Sequence, residues 1–430
     1  MPHVLSRFAL LCGAAVAMTG CAASPATAYL AATRPGVHST AQSIATRNVS
    51  SPGLASTPAA TATTTSRSHV TGRGSSTSTA SPILLYAQDW NGPSAKRTMA
   101  QWQQVALTHA ILVGSPGPSY GNMISQLHAW NPTLKVLVYD LGPFSIKGGT
   151  EFATLTAQHP DYFARDASGN LITVKAASGA GSFPNNYLMD AANPGWQAEE
   201  ASRVLANIEK YGWDGAYVDS MDPGPLSGST TGVPIDPSTG VAFTKPSWMQ
   251  ATGKILSVIK AAIGAKYLFS SGLVNGVEFT SFTHAITDST ANGGQTDSWL
   301  RLGNSSPTQY PSANLLASDL SMVLAINAQG KSFFGWTKLW MTSTQAQQSA
   351  WNTYALAAYL LVDNGVSDYY LFSTPSSSAD RTTIYFQNEL AALGTPTGAF
   401  TLTNGVYTRP FQSGVVTVNT TSNTASITVA

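Results

Sequence analysis

Short, nearly continuous apolar runs recur along this chain with room for a helix between most of them, and that alternation constrains the fold more than any other feature. The runs occupy residues 83–86, 108–113, 134–139, 215–218, 267–270, 284–287, 322–326 and 369–372. Runs of this kind suit parallel strands buried on both faces. Between them lie stretches with helical spacing, such as 196–211, where Val204, Leu205 and Ile208 share a face, and 252–263, with Ile255, Leu256, Val258 and Ile259. Eight strands alternating with helices predict an α/β fold, the (β/α)8 TIM barrel. An open doubly wound sheet needs fewer strands, and no glycine-rich phosphate fingerprint follows the first run. Past Gly394 the pattern changes to short alternating segments with turn signals at Asn404-Gly405 and Ser413-Gly414. This predicts a small C-terminal antiparallel β cap, too small to fold alone and therefore packed on the barrel flank. The expected organisation is a signal peptide at 1–20, a tether at 21–82, the barrel at 83–395 and the cap at 396–430.

The N-terminal fifth cannot join that core. Arg7 precedes an apolar stretch, 8–17, that is shorter than the roughly 20 residues needed to span a bilayer, so it reads as a secretory signal. Met18-Thr19-Gly20-Cys21 follows and resembles the bacterial lipobox, which implies lipidation at Cys21. Residues 22–82 are dominated by Ala, Ser, Thr, Pro and Gly and bury too little to offset chain entropy. The expected location is outside the cytoplasm: an anchored lipoprotein on the cell surface or in the periplasm, or else a secreted protein. The only membrane contact expected is that lipid anchor.

Charge and cysteine usage narrow the chemistry. Charged residues make up 10% of the chain and the net charge is +1, with five arginines and no acid before Asp89, so the body is slightly acidic. No basic patch with interleaved aromatics suggests nucleic acid. Cys12 and Cys21 are the two cysteines, which leaves the body without a thiol nucleophile or thiolate metal site. No spacing of His, Asp and Glu resembles a metal site, and no cofactor is implied.

In a barrel, reactive groups come from the C-terminal ends of the strands. The acids read there are Asp89, Asp140, Asp219 with Asp222, and Asp288. Asp219 stands out because the segment from Tyr211 to Ser220 runs from a helix end, through a glycine turn, into a strand that stops at an acid. Asp288 closes the run 284–287 in the same manner. Two acids in one concave mouth are what glycoside hydrolysis requires, one to protonate the leaving oxygen and one to attack or to activate water. Asp219 and Asp288 are therefore the expected catalytic pair. Asp89, Trp90, Tyr139, Asp140, Asp190 and Asp222 are expected to contact a poly- or oligosaccharide substrate. Asp is also favoured in turns and helix caps, so each acid has a structural alternative. Asp214 reads as such a turn-fixing residue.

Three segments occur in a telling order: His159-Pro160-Asp161-Tyr162-Phe163, Asp190-Ala191-Ala192-Asn193-Pro194-Gly195-Trp196, and Gly212-Trp213-Asp214-Gly215-Ala216-Tyr217-Val218-Asp219. Together with Tyr407-Thr408-Arg409-Pro410-Phe411, they resemble the bacterial glycosyl-hydrolase-like family fifteen, and more loosely the endo-α-1,4-polygalactosaminidase and α-amylase-like barrels. The resemblance implies a (β/α)8 catalytic barrel acting on a polysaccharide, with Asp219 as a catalytic carboxylate; separately, a monomer is expected. It also implies that Asp190 organises the cleft or the following helix. One departure is visible: such proteins usually carry Glu where this chain has Asp288, and a misplacement of about 1 Å can cost roughly a hundredfold in rate. A non-catalytic surface glycan-binding protein on a degenerate barrel is the alternative that this departure raises.

Overall fold

The computed structural model describes residues 83–89, 97–149, 151–175, 183, 185–374, 381–382, 384 and 386–430. Trp90, Cys21 and the expected signal and tether lie outside the described residues.

Eight parallel strands form one sheet: β1 (Tyr86–Asp89), β2 (Ile111–Gly114), β3 (Lys135–Asp140), β4 (Gly215–Val218), β5 (Tyr267–Leu273), β6 (Gly293–Thr296), β7 (Ser332–Lys338) and β8 (Tyr369–Ser373). The sheet closes on itself where Leu85 bridges Tyr370 in parallel and the Tyr370 N–H donates to the Leu84 carbonyl at 2.9 Å. This is the (β/α)8 barrel that the sequence predicts. Its interior is filled by Tyr86, Ile111, Val113, Leu137, Tyr217, Phe269, Phe334, Trp336, Tyr369 and Leu371, so it is a packed core and not a pore. The outward-facing strand residues meet α1 (Met99–Thr108), α2 (Ile124–Trp130), α3 (Pro194–Tyr211), α4 (Lys245–Ile263), α5 (Ala285–Asp288), α6 (Ala313–Ala328) and α7 (Gln345–Leu360) in a second, larger core.

Two of the eight expected strands are helices, and two real strands take their places. Residues 284–287 lie in the short helix α5, and 322–326 lie inside α6, whose first turn is capped by Ser312. In both, the apolar run is one stripe of a helix packed on the barrel, a case that a short window cannot separate from a buried strand. The true sixth strand, Gly293-Gly294-Gln295-Thr296, has no apolar run. A Cβ on Gly293 would sit 2.2 Å from the Ser332 carbonyl oxygen, so the strand needs glycine where β7 approaches.

Local chemistry sets where the elements start and stop. Asn193 caps α3 by accepting from the N–H groups of Gly195 (2.8 Å) and Trp196 (3.3 Å), and Pro194 fills the first helical position. Gly212, with φ 75°, ends the helix. Asp214 then accepts from the Val136 N–H at 2.7 Å and contacts His128 at 2.9 Å, fixing the turn into β4. The C-terminal strands β9 (Thr401–Thr403), β10 (Val406–Phe411), β11 (Gly414–Asn419) and β12 (Thr424–Val429) form an antiparallel sheet, with β11 and β12 lying against α7. Among the described residues, no helix is long and apolar enough to cross a membrane.

Candidate active site

The C-terminal ends of β4 and β6 each deliver a buried acid. Asp219 directly follows β4 and Asp297 directly follows β6, with relative exposures of 2% and 6%. Asp219 Oδ2 accepts the Tyr139 hydroxyl at 2.6 Å, and its Oδ1 accepts the Ser220 N–H at 2.7 Å. Burial and the nearby charge of Asp297 push the Asp219 carboxyl up, while the donors Tyr139, Ser220 and Ser271 pull it back. The two acids therefore share one electrostatic environment.

Asp297 is held by different partners. Its Oδ2 accepts the Lys338 ammonium at 2.7 Å and its Oδ1 accepts the Gln295 side-chain amide, which in turn accepts from Gln88 at 2.8 Å. Lys338 ends β7, is fully buried and lies 3.7 Å from the centre of the Trp336 ring. The indole N–H groups of Trp336 and Trp340 both donate to Ser373 Oγ, at 2.9 and 3.0 Å, which holds both rings against the ammonium. Burial pushes Lys338 down, and the Asp297 carboxylate opposes the shift. Arg381 approaches the same space, 5.1 Å from the Trp336 ring; burial pushes it down to about 10 against the pull of Asp297 and Asp89.

Backbone strain marks the same two strand ends. Four described non-glycine residues have a positive φ, and two of these, Asn404 and Asn423, turn hairpins of the C-terminal sheet. The other two, Ser220 and Leu300, both at φ 64°, follow the two buried acids. Between them, the β5–β6 pairing slips at Gly272, where Gln295 pairs with Ser271 but Thr296 with Leu273. This irregularity adjoins Ser271. A cleft opens here, lined by Asp222, Ser271, Glu278, Lys245 and Asp297 among others. Asp222 accepts the Gly224 N–H at 2.6 Å, and burial pushes its carboxyl up to about 7.

Asp288 does not belong to this constellation. It ends α5, the helix that returns the chain to the start of β6, so it lies at the N-terminal end of the barrel, opposite the mouth. Its side chain is 57% exposed and pairs with His284 at 2.6 Å. Lys331, the residue before β7, reaches the carbonyl of Ser289 beside it. The expected pairing of Asp219 with Asp288 is therefore corrected: the acid that shares the mouth with Asp219 is Asp297. The error follows from reading 284–287 as a strand.

The remaining expected contacts divide. Tyr139 and Asp222 face the mouth as described. Asp89 is at the mouth but is engaged by Arg97 and by the Tyr120 hydroxyl at 2.8 Å. Asp140 binds Arg203 at 2.8 Å, in a cluster with Glu151 and Glu200. Asp190 accepts the Ala192 N–H at 3.0 Å and lines a second cleft with Arg165 and Ile235; burial pushes it up to about 6. Lys338, Gln295, Ser271 and the Trp336–Trp340 clamp are absent from the sequence reading. Alternation along β7 would have found Trp336 and Lys338, two positions apart and on one face. Among the described residues, no group of three or more His, Cys, Asp or Glu is placed to hold a metal ion.

A family model described as hypothetical glycosyl hydrolase family 15 matches residues 128–415. Similar solved structures include a cycloisomaltooligosaccharide glucanotransferase from Paenibacillus sp., at 13% identity and TM-score 0.44, covering 62% of this chain and 39% of that one. A cycloalternan-degrading enzyme from Trueperella pyogenes matches at 12% identity and TM-score 0.43, covering 70% of this chain and 44% of that one. A GH31 family sulfoquinovosidase from E. rectale matches at 15% identity and TM-score 0.45, covering 71% and 44%. The chain thus spans less than half the length of these three proteins. No curated protein matches it.

Proposed function

The chain belongs to hypothetical glycosyl hydrolase family 15, and from that premise we propose that it hydrolyses O-glycosidic bonds of a poly- or oligosaccharide at the C-terminal mouth of its barrel, with Asp219 and Asp297 as the anionic centre. The observation that carries this reading is the pair of buried carboxylates at the ends of β4 and β6, close enough for Asp297 to push Asp219 up. Glycoside cleavage passes through a cationic, oxocarbenium-like sugar, and fixed carboxylates on either side of it stabilise that charge where water is excluded. The Trp336–Lys338–Trp340 clamp supports the reading because it orients Asp297 before substrate arrives. Export, and lipidation at Cys21, are part of the same proposal and rest on residues 1–21.

The test is reducing-sugar release from a panel of bacterial and plant polysaccharides by the wild type, Asp219→Asn and Asp297→Asn. Each variant is expected to lose about 10²- to 10⁴-fold in rate, with unchanged circular dichroism, whereas Asp288→Asn keeps wild-type activity. If the wild type cuts nothing but binds one of the glycans, the protein is a glycan-binding barrel and the hydrolytic reading falls.

A further inference from the structure

Glycoside hydrolysis needs an O–H aimed at the departing oxygen, and the donors around the buried pair favour its ionised form instead. All four carboxylate oxygens of Asp219 and Asp297 accept from protein donors: the Tyr139 hydroxyl, the Ser220 N–H, the Lys338 ammonium and the Gln295 amide. Donors on every oxygen, one of them a buried ammonium, favour the ionised form of the pair. Burial and Asp297 push Asp219 up, while its donors Tyr139, Ser220 and Ser271 favour the ionised form.

Asp222 is arranged differently. It stands three residues beyond Asp219, across the left-handed turn at Ser220, and it lines the cleft together with Asp297. One oxygen accepts the Gly224 N–H at 2.6 Å, and the other accepts no hydrogen bond among the described residues. Its backbone is pinned by the Trp248 indole, which donates to the Asp222 carbonyl at 3.0 Å. The charged groups that face it are Asp219 on its own loop, Asp297 beyond β6, Glu278 after β5 and, across the cleft, Lys245 of α4, which pairs with Glu278 at 3.7 Å. Three acids against one distant ammonium disfavour a further negative charge on Asp222.

We propose that Asp222 is the proton donor of this site, serving an ionised Asp219–Asp297 pair. The inference rests on the glycosidase reading and assigns one step of it. As the bond between the anomeric carbon and the glycosidic oxygen breaks, its electron pair stays with the oxygen, which takes the Asp222 proton and leaves as an alcohol. Water completes the balance: its hydroxyl ends on the anomeric carbon, and its proton returns Asp222 to the acid form. Burial, which pushes Asp222 up to about 7, keeps that proton available near neutrality.

The experiment compares 4-nitrophenyl with phenyl α- and β-glycosides of glucose, galactose and their N-acetylamino analogues. A nitrophenolate leaves without protonation, and a phenolate departs far less readily. Asp222→Asn is expected to keep nitrophenyl hydrolysis within about tenfold of wild type, to lose about 10²- to 10⁴-fold on the phenyl glycoside, and to lose the alkaline limb of the pH–rate profile near 7. Asp219→Asn and Asp297→Asn are expected to lose both substrates. Asp222→Ser serves as a second variant without a proton that dissociates near neutral pH, should Asp222→Asn fold poorly. If the wild type cleaves these glycosides and the Asp222 variants slow both leaving groups equally, or keep the alkaline limb, the assignment is overturned and the glycosidase reading stands. If the wild type cleaves no glycoside and no polysaccharide, both fall together.

Discussion

Lys338 is the residue whose removal separates architecture from chemistry. Its ammonium is fully buried and pairs with Asp297 at 2.7 Å. Taking one member out of a buried pair strands the other, so Lys338→Met is expected to cost about 3–5 kcal/mol in denaturant unfolding. Adding Asp297→Asn to it is expected to recover much of that loss, since the carboxylate that lost its ammonium is then neutral. A double variant no more stable than Lys338→Met would show that the ammonium serves the packing of the two tryptophans and not the acid. At this scale the sequence was legible where a residue announces its element. Asp219 did so because an apolar run stops at it. Asp297 did not, because the strand before it consists of two glycines, a glutamine and a threonine. Asp288 imitated Asp219 because one face of a packed helix, read over four residues, looks like a strand.

Helix starts and strand approaches carry the next level. The segment Asp190-Ala191-Ala192-Asn193-Pro194 is a device for launching α3: Asp190 closes the turn on Ala192 and Asn193 caps the helix. Asn193→Ala is expected to lower stability by about 0.5–2 kcal/mol in urea unfolding, and an unchanged midpoint would mean that the cap is replaceable by solvent. Gly293→Ala is the corresponding test for the strand missed in the sequence. Its new Cβ would lie 2.2 Å from the Ser332 carbonyl oxygen, so β6 and β7 must separate, at a cost of about 1–3 kcal/mol. Because Asp297 and Lys338 sit at the far ends of those two strands, the same variant is expected to lose activity beyond its loss of stability. An active but destabilised protein would show that the strand ends are held independently of their starts. The helices with long amphipathic faces, α3 and α4, were readable because their period is sustained over many residues. The glycine-dependent strand was not, since close backbone approach leaves no hydrophobic signature.

Over the whole molecule the buried acids have a common consequence. Burial pushes Asp222, Asp319 and Asp363 up to about 7, Asp368 up to about 6 and Glu389 up to about 8. A carboxyl whose folded value lies above its ordinary one binds its proton more tightly in the folded chain. The associated stability is present at low pH and is lost as pH rises from the ordinary carboxylate range through the folded value, here from about 4 to about 8. Each unit of such a shift is worth about 1.4 kcal/mol, so these groups together outweigh the exposed Asp166 and Asp236, whose lowered values act in the opposite sense at lower pH. The melting temperature is therefore expected to be higher at pH 5 than at pH 8. Glu389→Gln keeps an oxygen for the Asn352 amide and removes one titration, so it is expected to flatten the upper part of that slope. A wild-type melting temperature that climbs between pH 5 and 8 would mean that these acids are already ionised in the folded protein. Asp222 could then hold no proton to donate at neutral pH, which ties the stability of the barrel to the chemistry proposed at its mouth.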